Sequence, residues 1–164
     1  MEIRAKHEYS HKADAVFALF TDRQAIEAKQ AALGARKIQV KECETDADGA
    51  VVRFVRELPA KVPGMLSKFI KPWNTVEQSE RWRRLDGGAC EADIAIDVAG
   101  VPVTVAGTLK LKPVKGGCVN HVHVTVKSGV PLVGKTLAEF VAKDCKRIIG
   151  WEYQYMCEQL DLGK

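Results

Sequence analysis

The stretch CEADIAIDVAGVPVTVAGTLKLKPVKGGCVNHVHVTVK, residues 90–127, decides the fold. From Cys90 to Val98 it places Ala92, Ile94, Ile96 and Val98 on one face and Glu91, Asp93 and Asp97 on the other, the period-two alternation of a half-buried strand. Gly100 turns the chain, and Val101, Val103, Val105, Leu109 and Leu111 then share a face with Gly107 between them. The pair Gly116-Gly117 turns it again, after which Val122, Val124 and Val126 alternate with His121, His123 and Thr125. Turns this short join antiparallel neighbours, because parallel strands need long crossovers. Several such strands with one apolar face predict a curved antiparallel sheet with something packed inside it. Gly107 in mid-strand predicts a bend or bulge that helps the curvature.

Upstream, further runs have the same character. Ala35–Thr45 and Val51–Leu58 flank the turn residues Ala47-Asp48-Gly49, and Trp73–Leu85 ends at Asp86-Gly87-Gly88. Between them, Pro59–Pro72 breaks the pattern and predicts a loop with a short amphipathic helix carrying Met65, Leu66, Phe69 and Ile70. The chain opens on one more strand, Glu2–Tyr9. A helix capped by Ser10 follows, with Ala13, Val16, Phe17 and Phe20 at helical spacing. Thr21 or Asp22 caps a second short helix running to Leu33, and Gly34 stops it in a left-handed conformation. Downstream, Leu132–Leu160 holds no proline and predicts one long helix. Leu137, Val141, Cys145, Ile148, Tyr155 and Met156 share one arc, and Lys135, Lys143, Lys146, Arg147 and Gln154 lie opposite. The order predicts an α+β fold: about six to seven strands curved around a long C-terminal helix, two short helices after strand one, and one domain over residues 1–164.

Composition narrows the function. The net charge of +4 is spread along the chain, and the one short cluster, Arg81, Arg83 and Arg84, sits among Glu77, Glu80 and Asp86, so no nucleic-acid partner is expected. Five widely spaced cysteines without a CxxC point to a reducing compartment. The charged, alternating N-terminus lacks the apolar region of a signal peptide, and no window approaches a membrane span. The expected location is the cytoplasm.

The segments HKADAVFALFTD (11–22), RELPAKVPGMLSKFIKP (56–72) and VPLVGKTLAEFVAKDCK (130–146) carry a resemblance to the START-like superfamily, also called SRPBCC or helix-grip proteins. That group includes the birch-pollen allergens, the steroidogenic lipid-transfer domains and the polyketide cyclases. ALGA (32–35), RELPA (56–60) and PLVG (131–134) narrow it to a branch known only as a domain of unknown function. The resemblance implies a hydrophobic cavity gripped between sheet and helix. It does not choose among carriers, sensors and enzymes.

On that reading the expected partner is an apolar small molecule, lipid-like or polycyclic, and no cofactor is expected. The sheet would offer Ile94, Ile96, Val103, Val105, Val122 and Val124 to the ligand. The helix would close over it with Leu137, Val141, Ile148, Glu152 and Tyr155, and the middle loop would add Met65 and Phe69 as lid or plug. Its lysines, Lys61, Lys68 and Lys71, leave a membrane-touching patch as the less favoured reading. Glu152 stands out as a carboxylate on an apolar arc; Asp144 lies near it. It either anchors a polar ligand group, serves as acid–base in a cyclase or hydratase, lies at the rim, or pairs with an Arg of the sheet such as Arg53 or Arg56. The enzyme reading is the weaker one, because no dyad of titratable groups is visible, and no catalytic residue is assigned. His121 and His123 have metal-ligand spacing but face away from the valines, and no third ligand is evident, so no metal is expected. Cys145 is expected to be a small core hydrophobe. The VGKT string (133–136) lacks the first glycine of a phosphate-binding loop. The sequence sets no oligomeric state.

Overall fold

Most of the alternating runs become sheet. The computed structural model describes residues 1–163. Its strands are β1 (Glu2–Tyr9), β2 (Arg36–Thr45), β3 (Gly49–Pro59), β4 (Trp73–Arg84), β5 (Cys90–Val98), β6 (Thr104–Val114) and β7 (Gly117–Lys127). They form one sheet in the order β1-β7-β6-β5-β4-β3-β2, antiparallel throughout. The helices are α1 (Ala13–Phe20), α2 (Arg23–Ala32) and α3 (Gly134–Leu162). Because β1 pairs with β7, α1 and α2 carry the chain from one edge of the sheet to the other, while α3 lies against β7, β1 and α1. This is the helix-grip fold.

Local chemistry sets the boundaries. The Asp22 carboxylate accepts a hydrogen bond from the Ala25 amide at 2.8 Å and caps α2. Gly34, at φ 89°, ends that helix: the amides of Gly34 and Ala35 reach back to the carbonyls of Ala31 and Gln30. Ser10 does not cap α1. The N-cap is Lys12, with no side-chain bond, and burial of Ala13, Val16 and Phe17 holds the helix instead.

Four further features differ from expectation. The long helix starts at Gly134, because Leu132 takes a left-handed φ of 67° that no α-helix accommodates. The loop after β3 forms only a single 3-10 turn, Gly64–Leu66, whose Leu66 is buried. Strand β6 starts at Thr104, because the Val103 amide bonds the Val101 carbonyl in the preceding turn and leaves the strand alternation. No bulge occurs at Gly107, which keeps unbroken register with Ile94 and Val124. Its role is close approach, since a Cβ there would fall 2.2 Å from the His123 carbonyl oxygen.

The core fills the two ends of the grip. At one end Leu66, Ile70, Val126 and Leu137 pack together; at the other Phe17, Trp82, Leu111, Met156 and Leu160 do so. The Pro59–Pro72 loop thus plugs one end through Leu66 and Ile70.

Candidate functional site

Between the two packed ends lies a cavity of about 160 Å³. The sheet contributes Ile94, Ile96, Val105, Val122 and Val124 to its wall, and α3 contributes Val141, Ile148 and Glu152, all positions that alternation and helical phase predict. Val101, Leu109 and Ile70 complete the apolar lining near them.

Five expected positions lie elsewhere. Val103 sits in the turn before β6. Leu137 is completely buried in the packed end of the core and meets no open space. Tyr155 turns off the inward arc, which Glu152, Tyr153 and Met156 occupy, because successive helical residues are rotated by about 100°. Met65 is 63% exposed, at the tip of the plugging loop. Phe69 is half-buried against the core, with the Lys68 ammonium 5.2 Å from its ring centroid.

The wall also carries polar groups, of which the sequence reading names Arg56, as a partner for Glu152, but not Lys29, Asn74, Gln78, Glu80 or Asn120. On β3 the inward parity runs Ala50, Val52, Phe54, Arg56, and on β4 it runs Asn74, Val76, Glu80, Trp82. Arg56 is only 3% exposed. Its Nη2 donates to Gln78 Oε1 at 3.1 Å, and Gln78 Nε2 donates to Glu80 Oε2 at 2.7 Å. The Trp82 indole donates to the other Glu80 oxygen at 3.0 Å. Gln78 therefore links the buried Arg56 guanidinium to the buried Glu80 carboxyl, with its amide orientation fixed by both. Lys29 of α2 and Asn120 of β7 are buried in the same lining. Burial pulls the Arg56 guanidinium down to about 10, opposed by the charges of Glu152 and Glu80, so it stays a cation at neutral pH. Burial pushes the Glu80 carboxyl up, against Lys29, Trp82 and Gln78.

Arg53, the other arginine considered for Glu152, points outward and bonds Glu77 at 3.0 Å. Asp144 reaches the cavity wall, but Arg147 holds it at 2.6 Å. Burial pushes the Cys145 thiol up to about 11, so this wall residue is no thiolate nucleophile at neutral pH. All five cysteines are free. Among the described residues no three His, Cys, Asp or Glu side chains gather to hold a metal; His123 lies 3.0 Å from Glu2 on the outer face.

His7 stacks on Tyr153 with ring centroids 4.2 Å apart, and the Tyr153 hydroxyl donates to the Glu8 carbonyl at 2.6 Å, tying α3 to β1. Burial lowers the His7 pKa from its ordinary 6.5, with Glu152 opposing. A depressed histidine contributes stability above its unfolded pKa and loses it as pH falls toward the folded value. Thermal unfolding midpoints at about pH 8 and about pH 5.5, across the histidine range, should drop less for His7→Phe than for the unsubstituted chain. Equal drops would mean that His7 is not held neutral.

The family model described as "Protein of unknown function (DUF2505)" matches residues 4–160. The chain belongs to the DUF2505 family. Among curated relatives of this DUF2505 chain, the uncharacterized protein Rv0481c of Mycobacterium tuberculosis is 24% identical over 96 residues, which are 57% of this chain and 55% of that one. The chain thus spans about half the length of the curated relatives it matches. Solved structures extend the likeness across the fold. TTHA0849 from Thermus thermophilus superimposes with TM-score 0.70 at 17% identity, covering 100% of this chain and 99% of that one. Ara h 8.0201, a Bet v 1-like protein, gives 0.59 at 14% identity over 96% and 98%. These likenesses place the DUF2505 chain in the START-like, SRPBCC fold. Among the described residues no helix is long and apolar enough to cross a membrane.

Proposed function

We propose that the chain binds an apolar small molecule in the cavity between sheet and α3, as a cytoplasmic carrier or sensor rather than as an enzyme. One observation carries the reading: an internal space walled mainly by Ile94, Ile96, Val105, Val122, Val124, Val141 and Ile148. Apolar surface that stays unpacked inside a domain forfeits dispersion contacts, and a ligand restores them. The five free thiols suit a reducing compartment.

The volume bounds the ligand. Pockets for drug-sized molecules run to about 300–1,000 Å³. Roughly 150 Å³ of apolar cavity takes a benzene ring, and the space here is about 160 Å³. The supported ligand is therefore a single ring or a short chain. The lipid-like and polycyclic molecules that the sequence suggested would need α3 or the plugging loop to move aside.

Glu152 tests the carrier reading. This half-buried carboxylate sits on the wall one helical turn after Ile148. Calorimetric titration with 2-phenylethanol should show saturable binding to the unsubstituted chain. Glu152→Gln should change the affinity by a few-fold to tens-fold, the scale of one hydrogen bond. Binding left intact beside a turnover slowed by roughly 10²–10⁴-fold would instead mark a proton-transfer enzyme of the cyclase or hydratase kind. No saturable binding at millimolar ligand would contradict the proposal.

A further inference from the structure

We propose that the ligand is an anion, a monocarboxylate on a single-ring or short-chain apolar body, and that Arg56 receives its carboxylate. The inference rests on the reading of the cavity as a ligand site and names the ligand's polar end.

Two side chains of the lining keep a buried polar atom without a partner, Asn120 Oδ1 and Arg56 Nε, and of the two Arg56 alone carries a charge. A guanidinium offers five N–H donors. Here Nη2 is satisfied by Gln78 at 3.1 Å, Nη1 makes a long 3.4 Å contact with the Val76 carbonyl, and Nε, fully buried, has no partner. No carboxylate of the described residues bonds the guanidinium: Glu80 and Glu152 act on it only through space. A buried cation without an ion pair is costly unless something neutralises it.

The carboxylates nearby are differently placed. Glu80 already accepts from Gln78 and Trp82, and Asp144 is held by Arg147. Glu152 is half-buried, so water reaches it. The unmatched buried charge of the site is therefore positive. A planar guanidinium binds a carboxylate through two parallel N–H donors, and such charge-assisted bonds are roughly twice as strong as neutral ones. Gln78 holds one side of the fork in place, which leaves Nε and the remaining N–H groups for a ligand. The apolar body would then lie along Ile94, Ile96 and Val122.

Three molecules with one phenyl ring and two further carbons separate the possibilities: phenylacetate, 2-phenylethanol and 2-phenylethylammonium. Each is titrated calorimetrically into the unsubstituted chain, Arg56→Gln and Arg56→Lys near neutral pH, with thermal melts to verify folding. The expected result is phenylacetate binding roughly 10- to 100-fold more tightly than 2-phenylethanol. In Arg56→Gln that preference should collapse while 2-phenylethanol still binds; Arg56→Lys should keep part of it. Equal affinities for acid and alcohol would overturn the anion inference and leave the apolar site standing. Preference for the ammonium would overturn it in favour of Glu152 as anchor. Failure of all three to saturate would overturn the site itself and the inference with it. The comparison within the unsubstituted chain decides the matter even if Arg56→Gln fails to fold.

Discussion

Gly107→Ala is expected to cost more than about 4 kcal/mol, an exceptional loss that overpacking against fixed backbone can reach, and Gly107→Val to abolish folding. The Cβ would sit 2.2 Å from the His123 carbonyl oxygen and 2.9 Å from the Val124 Cα. Both atoms are backbone of β7, which pairs with β6 on one side and β1 on the other. Retreat of β7 would break one ladder or the other and pull Val122 and Val124 from the cavity wall. Gly100→Ala is the control. That glycine has φ 75° but open space around its Cβ, so only backbone strain of about 1 kcal/mol is at stake. Urea unfolding measures both. A Gly107→Ala variant within about 0.5 kcal/mol of the parent, the scatter of ordinary surface substitutions, would show that the strands do not approach this closely.

Val122→Phe is expected to abolish binding of 2-phenylethanol, by a factor of at least about 30 on the scale of two to three buried methylenes, while the fold persists. Val122 is buried on β7, opposite Ala5 and Leu109, with its side chain on the cavity wall. A phenyl ring there takes the space that a ring-sized ligand needs. Two stability terms oppose each other: filling a void gains about 24 cal/mol per Å³, and imperfect fit costs about 1–3 kcal/mol. The melting temperature should therefore move by only a few degrees in either direction. Unchanged affinity in a folded variant would mean that the ligand sits elsewhere.

Much of the fold was legible because its signals are local. Alternation over residues 90–127 marks strands whose one face is dry, and Asp22 and Gly34 carry cap chemistry that works within one helical turn. What failed depended on tertiary surroundings. Leu132 looks helical but follows Pro131 in a left-handed conformation. Leu137 shares the arc of Val141, yet it lies toward the end plugged by Leu66 and Ile70 and is packed solid. The apolar wall was legible for the same reason as the strands. Of the polar wall, Glu152 and Arg56 were named, but Gln78, Glu80 and Asn120 were missed, because polar residues in an alternating strand are ordinarily outward. The parity nonetheless held the clue: Arg56 shares a face with Val52 and Phe54, and Glu80 with Val76 and Trp82. A charge in phase with core residues is a buried charge, and the residue order alone carries that pattern.

The central claim, that an apolar ligand occupies the space between sheet and helix, is tested most directly by methyl NMR of isoleucine-labelled protein titrated with 2-phenylethanol. Ile94, Ile96 and Ile148 line the cavity, whereas Ile26 lies in a separate cluster with Val52 and Phe54, and Ile38 lies on β2 at the sheet edge. The account predicts saturable shifts at the first three methyls, with Ile26 and Ile38 unmoved. Shifts that never saturate, or that appear at Ile26 and Ile38 while Ile94, Ile96 and Ile148 stay still, would contradict it.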